Sequence, residues 1–151
     1  MLKWLSVVGM AMLPLVELKG AIPYGMALGI EAWTCFYLAL IGSCLPAPFI
    51  MWLFHPVVKF AHKREIKWLC KIMDYAQNKG EKKMDQVTKY QNWQLFGLFV
   101  FVAIPLPTTG VWTGSVIATL LQLPMKKAVP TVMVGNVVAG LLVFLVSGQF
   151  F

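Results

Sequence analysis

Two apolar stretches of this chain, each long enough to enter a bilayer, are interrupted by residues that a bilayer tolerates badly. The first interruption reads Glu17-Leu-Lys-Gly-Ala-Ile-Pro23-Tyr-Gly25, the second Ile104-Pro-Leu-Pro-Thr-Thr-Gly110-Val-Trp-Thr-Gly114. Backbone N–H and C=O groups at membrane depth find no water, so irregular chain persists there only where protein buries it or where it lines a wet cavity. One such interruption in each half of a chain points to the substrate site of a transporter.

The rest of the composition agrees with a membrane setting. The chain is 59% hydrophobic and 13% charged, against about 25% charged in a soluble domain. Four of the six acidic residues and nine of the thirteen basic ones fall between His55 and Asn92. The net charge of +7 is therefore a juxtamembrane block, which marks the cytoplasmic side and is drawn to anionic lipid. It is not interleaved with base-stacking aromatics, so no nucleic-acid partner is expected. Cys35 and Cys44 lie in one apolar run, about 13 Å apart on a helix, too far for a disulfide. Neither they nor Cys70 have metal-ligand spacing with His55 or His62. Pro14, Glu17 and Lys19 stand where a signal-peptide cleavage site would need small residues.

Read along the chain, residues 2–16 are apolar but only about 22 Å long as helix. The first interruption follows at 17–23, then a second short piece at 24–33. Residues 34–54 carry no charge and span about 31 Å, a full crossing, with a kink expected at Pro46 and Pro48. Residues 58–76 alternate at helical spacing between apolar and lysine-rich sides and stop at Gly80, which predicts an amphipathic surface helix; 81–91 is expected to be a short second helix. The second half repeats the plan: a short piece at 92–104, the break at 105–110, a short piece at 111–123, and a crossing at 131–149. Lys126 and Lys127 prefer the inside, so 92–123 enters and leaves from one side. The expectation is an all-α polytopic membrane protein, a single membrane domain over residues 1–151. Two inverted repeats (1–54 and 92–151), each a re-entrant helical hairpin plus a transmembrane helix, would be joined by a cytoplasmic amphipathic connector at 55–91.

An ionisable group at membrane depth costs at least about 2.5–3.5 kcal/mol unless it faces a cavity or a partner. Glu17 and Lys19 are the pair placed at such a depth. Glu17 is expected to respond to a proton or cation and Lys19 to hold an anionic group, with Gly20 and Pro23 shaping the backbone around them. In the second break, free amides at 109–112 and free carbonyls at 104–107 can bind anions and cations respectively. Thr108, Thr109, Thr113 and the indole of Trp112 could add directional contacts around Pro105, Pro107 and Gly110. Asn136 and Gln122 read as interhelical hydrogen bonders, and Glu31 with Trp33 as an interfacial anchor. No nucleophile stands beside a histidine in a recognisable motif and no Walker-type phosphate loop is present, so neither an enzyme nor ATP-driven transport is expected. No cofactor is expected.

The two interruptions, taken as a pair over nearly the whole chain, resemble the signature segments of the small multidrug export protein family of prokaryotes. That resemblance implies export of small molecules across the prokaryotic inner membrane. The same plan is more distantly similar to the DedA superfamily, with two opposed re-entrant hairpins and members that flip polyprenyl-phosphate lipid carriers. Glu17 and Pro23 match the acidic residue and proline of that family's first hairpin, and Ile104-Pro105 the Ile-Pro of its second. Met26 follows Gly25 where a second acidic residue belongs. Val102 or Ala103, and Thr108 or Thr109, stand where paired arginines belong, so Lys19 would have to serve a phosphate alone.

The function expected from all this is secondary transport of a small molecule or ion at a midplane site between two hairpin tips. Gly42, Gly135 and Gly140 offer faces that a neighbouring helix can approach closely, and a homodimer packed through small-residue faces is expected, in contact with membrane lipids. Lipid flipping and a non-transport, membrane-organising role are the alternatives.

Overall fold

The computed structural model describes residues 1–63, 84–106 and 109–148, whose regular structure is all helical, without strands. In chain order the helices are α1 (Leu2–Met12), α2 (Glu17–Ala27), α3 (Ala32–Cys44), α4 (Pro46–Lys63), α5 (Met84–Ala103), α6 (Val111–Leu120) and α7 (Met125–Ser147). Two stretches are long and apolar enough to cross a bilayer, Ala32–Phe54 and Met125–Ser147, each of 23 residues, or about 34 Å as helix.

Helix α7 measures the height of the molecule. At its start Lys127 Nζ donates to Gln91 Oε1, in the first half of α5, 3.4 Å away. Further on, Gly135 packs under Phe99 and Val102 of α5, so α5 and α7 run in the same direction. Asn136 Nδ2 then reaches Ser43 Oγ of α3 at 2.6 Å, Gly140 lies against Leu18 and Phe36, and Phe144 meets Trp33 with ring centroids 4.5 Å apart. Thus α3 runs antiparallel to α7, and Trp33 and Gln91 lie near opposite ends of it.

Two helical hairpins hang on this frame. Lys3 Nζ, at the start of α1, donates to Leu28 O just past α2 (3.2 Å), so α1 and α2 form a hairpin open at the Trp33 end of α7. The packed pair α5 and α6 opens at the Gln91 end, because α7 begins there. The closed ends meet near the middle of α7. Each hairpin shares a buried core with the long helices beside it: Val7, Ala11, Leu18, Ala21 and Ile22 with Phe36 and Ala39 of α3, and Leu98, Val102, Val111 and Ala118 with Ala47 and Met51 of α4 and Val132 of α7.

Several sequence expectations are corrected. The stretch 17–23 is not unwound: it is the body of α2, and the turn falls earlier, at 13–16, where Pro14 cannot continue α1. Pro23 sits inside α2, one helical hydrogen bond being forfeited to a helix packed on both α1 and α3. The turn between the first and second short pieces thus also shifts, and α3 starts at Ala32 after a short link through Gly29 (φ 77°). Pro46 and Pro48 fall in the first turn of α4, where a missing N–H is cheap, and Leu45 between α3 and α4 keeps helical angles (φ −57°, ψ −42°). Residues 84–91 join the expected short piece 92–104 as one helix, α5, rather than forming a helix of their own. α4 continues to Lys63, past the expected boundary at 54. Most of the predicted surface helix, 64–76, and its stop at Gly80 lie outside the described residues. The crossing begins at Met125, not 131, with Pro130 inside it.

The small-residue faces are consumed within the chain. A Cβ on Gly42 would come within 2.6 Å of Val8 O of α1, and one on Gly140 within 2.9 Å of Leu18. These two glycines therefore serve close helix contacts inside the chain.

Candidate functional site

Glu17 is the first residue of α2, and its backbone is left-handed (φ 48°). A non-glycine residue there carries roughly 1–2 kcal/mol of strain, which persists only when the surroundings impose it. They do: the residue is 6% exposed, and its side chain crosses to the second hairpin, where Oε1 accepts the backbone N–H of Trp112 at 3.2 Å. The carboxylate thus caps the start of α6, whose free amides carry the positive end of the helix dipole. Gly110, immediately before α6, lies flat under it; a Cβ there would overlap the carboxylate group.

Lys19, two residues further along α2, takes the opposite pole of the same break. Its ammonium donates to the carbonyls of Leu106 (2.5 Å) and Thr109, lies 3.4 Å from Thr109 Oγ1, and is 4.0 Å from Glu17 Oε2. These carbonyls belong to chain that has left α5 and not yet entered α6, so helix gives them no partner. Thr109 fixes their shape. Its buried hydroxyl donates to Ile104 O (2.5 Å) and accepts Leu106 N–H (3.2 Å), while Leu106 N closes a tight turn around Pro105 onto Ile104 O (2.8 Å). One short stretch of α2 therefore supplies an anion to the amides and a cation to the carbonyls of the 104–110 break. Beside this contact lies a cavity of about 400 Å³ lined by Leu15, Val16, Glu17, Lys19, Gly20 and Pro105.

Of the residues singled out from sequence, Glu17, Lys19, Thr109, Gly110 and Trp112 come together, and Gly20 and Pro105 border the cavity with them. Two do not join. Thr113 is exposed, because the first turn of α6 aims it away from the core. Pro23 sits mid-α2 and does not line the cavity. Pro107 and Thr108 lie outside the described residues. The Trp112 indole N–H is spent on Met12 O at the end of α1 (3.1 Å), a second tie between the hairpin tips. The free amides and carbonyls of the break were expected as anion and cation binders; what the sequence did not show is that Glu17 and Lys19 of the other hairpin are themselves the groups they bind.

A second polar contact sits at the same height. Asn136 Nδ2 bridges to Ser43 Oγ (2.6 Å) and Cys44 Sγ (3.6 Å), tying α7 to α3 as interhelical polar groups do. Ser115 Oγ on α6 is fully buried without a hydrogen-bond partner. No group of three or more His, Cys, Asp or Glu that could hold a metal occurs among the described residues.

Comparison with known proteins gives one family. The model of the family described as "Putative small multi-drug export protein" matches residues 17–142, beginning at the carboxylate that caps α6 and ending within α7. No curated protein and no solved structure matches the chain. The more distant DedA likeness rests on Glu17, Pro23, Ile104 and Pro105 alone.

Proposed function

The chain belongs to the small multi-drug export protein family, and from that membership we propose that it is a secondary exporter. Its cargo passes through the cavity between the two hairpin tips, and its gate is the contact of Glu17 and Lys19 with the 104–110 break. In this reading the molecule is a multi-pass protein of the cell membrane. Ala32–Phe54 and α7 cross the bilayer, and the two hairpins are re-entrant, dipping in from opposite faces as inverted repeats. The end of α7 carrying Lys126 and Lys127 faces the cytoplasm, by the positive-inside rule.

One observation carries the proposal. A buried carboxylate and an ammonium on one hairpin hold the two poles of the break in the other, next to a cavity lined by the same groups. The family name supplies export; the geometry supplies a place where a proton or a cationic cargo can act. Once Glu17 is neutralised, its attraction to the α6 amides falls, the Coulomb partner of Lys19 is lost, and the tips can part. No phosphate loop is present, so an ion gradient is the available driving force.

The lipid-phosphate alternative requires a free cation, and Lys19 is not free. Its ammonium would have to abandon Leu106 O, Thr109 O and Glu17 to reach a phosphate. The test is efflux of ethidium, an aromatic cation, from proteoliposomes under an imposed proton gradient. Gradient-dependent efflux by the wild type that is lost in Glu17→Gln, with the variant still folded, supports the proposal. Efflux unchanged in Glu17→Gln, or no efflux of any cationic dye by the wild type, overturns it.

A further inference from the structure

The ammonium of Lys19 occupies a seat made of oxygen atoms. Leu106 O (2.5 Å), Thr109 O and Thr109 Oγ1 (3.4 Å) come from the break, and Glu17 Oε2 (4.0 Å) comes from α2. The part on the break keeps its shape by bonds that do not involve Lys19. Thr109 N–H donates to Leu106 O (3.2 Å), the Thr109 hydroxyl donates to Ile104 O (2.5 Å), and Leu106 N–H donates to Thr109 Oγ1 (3.2 Å). The oxygens are thus pre-organised for a cation, whichever cation fills the seat.

The seat also has an approach. Glu17 and Lys19 both line the cavity of about 400 Å³, and its other walls are Leu15, Val16, Gly20 and Pro105. That is the small end of the range of ligand pockets, with an apolar lining apart from the pair that borders the seat. Carbonyl oxygens select among the cations that could enter. An ammonium with N–H groups gives them hydrogen bonds. A quaternary ammonium of equal charge gives none and leaves desolvated acceptors unpaired, a loss of about tenfold or more in affinity.

We infer that the seat filled by Lys19 is where the cargo's own cation binds: the cargo is an organic ammonium carrying N–H groups on a compact apolar body, and Lys19 is its tethered competitor. One carboxylate balances one cation, so the cargo and the Lys19 ammonium exclude each other from the seat. Ethidium, quaternary at its ring nitrogen, qualifies through the N–H groups of its two amino substituents. The inference rests on the preceding reading for the passage of cargo through this cavity; the seat itself is tested by binding alone.

The experiment is thermal unfolding of the detergent-purified full chain, wild type and Lys19→Ala, titrated with n-butylammonium and with butyltrimethylammonium, which have the same charge and the same butyl chain. Lys19→Ala empties the seat, so n-butylammonium should raise its melting temperature saturably, by about 5–10 °C at a hundredfold excess over the dissociation constant. Butyltrimethylammonium should bind it about tenfold more weakly or worse. In the wild type Lys19 fills the seat most of the time, so n-butylammonium should bind about tenfold more weakly than to Lys19→Ala. Adding Glu17→Gln to Lys19→Ala should abolish the effect of the amine. Lys19→Met takes the place of Lys19→Ala if the latter does not fold. Equal affinity of the emptied seat for the two cations overturns the inference, as does a wild type that binds the amine as tightly as the variant. So does sodium ion stabilising Lys19→Ala as well as the amine at equal concentration, which would make the seat a metal site, and so does the absence of any shift. The transport reading fails separately: the expected amine binding without dye efflux would sink export alone, and dye efflux without amine binding would sink this seat alone.

Discussion

Replacing Gly110 by alanine tests the contact between the hairpin tips with a single added methyl group. The backbone at 110 is fully extended (φ −161°, ψ −166°), a conformation alanine adopts, so the substitution carries no conformational penalty of the left-handed kind. Its cost is steric: the new Cβ occupies the space of the Glu17 carboxylate. Either the carboxylate leaves the Trp112 amide, forfeiting a charged hydrogen bond worth about 1.5–3 kcal/mol, or the tips move apart, with an overpacking cost of about 1–3 kcal/mol. Both routes give a loss of about 2–3 kcal/mol. For a chain of this size that lowers the melting temperature by roughly 5–10 °C, measured by thermal unfolding of the purified protein in detergent. The decisive arm is a double-mutant cycle. In a Glu17→Ala background the three atoms nearest the new methyl group are gone, so Gly110→Ala should cost less than about 0.5 kcal/mol there. Equal losses in both backgrounds would refute the reasoning, because the clash would then be with something other than the carboxylate.

Other substitutions probe the frame around the site by the same unfolding measurement. Ser115→Ala removes a buried hydroxyl that has no partner and should raise stability by about 1 kcal/mol; a fall in melting temperature would show the hydroxyl to be satisfied. Asn136→Ala breaks the α3–α7 bridge to Ser43 and should cost about 1–3 kcal/mol, with a coupling to Ser43→Ala that is absent if the pair does not interact. Gly42→Ala pushes a methyl group onto the backbone of α1 and should cost about 1–3 kcal/mol. Gly9→Ala, which meets nothing within 4 Å, should instead be neutral or gain up to about 1 kcal/mol of helix propensity. Similar losses at both glycines would contradict the close α1–α3 approach.

The all-helical architecture, the two long apolar crossings and the break at 104–110 were legible in the chain because each depends on local signals: run length, Pro-Leu-Pro, and glycine before a helix start. The first break was misplaced for an equally local reason. Pro23 and Gly25 look like helix breakers in isolation, yet packing of α2 against α1 and α3 outweighs the lost hydrogen bond, and the turn goes to Pro14 instead. Glu17 and Lys19 stood out because charge is conspicuous in apolar sequence. Their partners did not, since Lys19 is held by carbonyls that every residue possesses. The seating of Glu17 over Gly110 depends on a backbone angle and on a contact between residues 93 positions apart, and neither leaves a mark in composition. The small-residue faces were visible, but whether they meet another helix of the same chain or a second copy is a question of tertiary placement that spacing does not answer.

Glu17 and Lys19 lie 4.0 Å apart, so their contribution could be ascribed to a simple ion pair. The geometry says otherwise: each group is held more closely by the break than by the other, the carboxylate by an amide and the ammonium by carbonyls. The two explanations separate in the exchanged variant Glu17→Lys/Lys19→Glu. It keeps net charge, the pair and its spacing, so an ion pair alone predicts stability near wild type. If the poles of the break matter, the exchange sets an ammonium against the amides of α6 and a carboxylate against the carbonyls of Leu106 and Thr109. Each buried charge then faces its own sign, and breaking such contacts costs about 3–5 kcal/mol per site. The expected result is therefore a protein less stable than either single neutral variant, Glu17→Gln or Lys19→Met, because a neutral group is only unsatisfied whereas a reversed one is repelled. An exchanged variant that unfolds at the wild-type temperature would reduce the tip contact to a plain ion pair. The break would then lose its part in holding the two hairpin tips together.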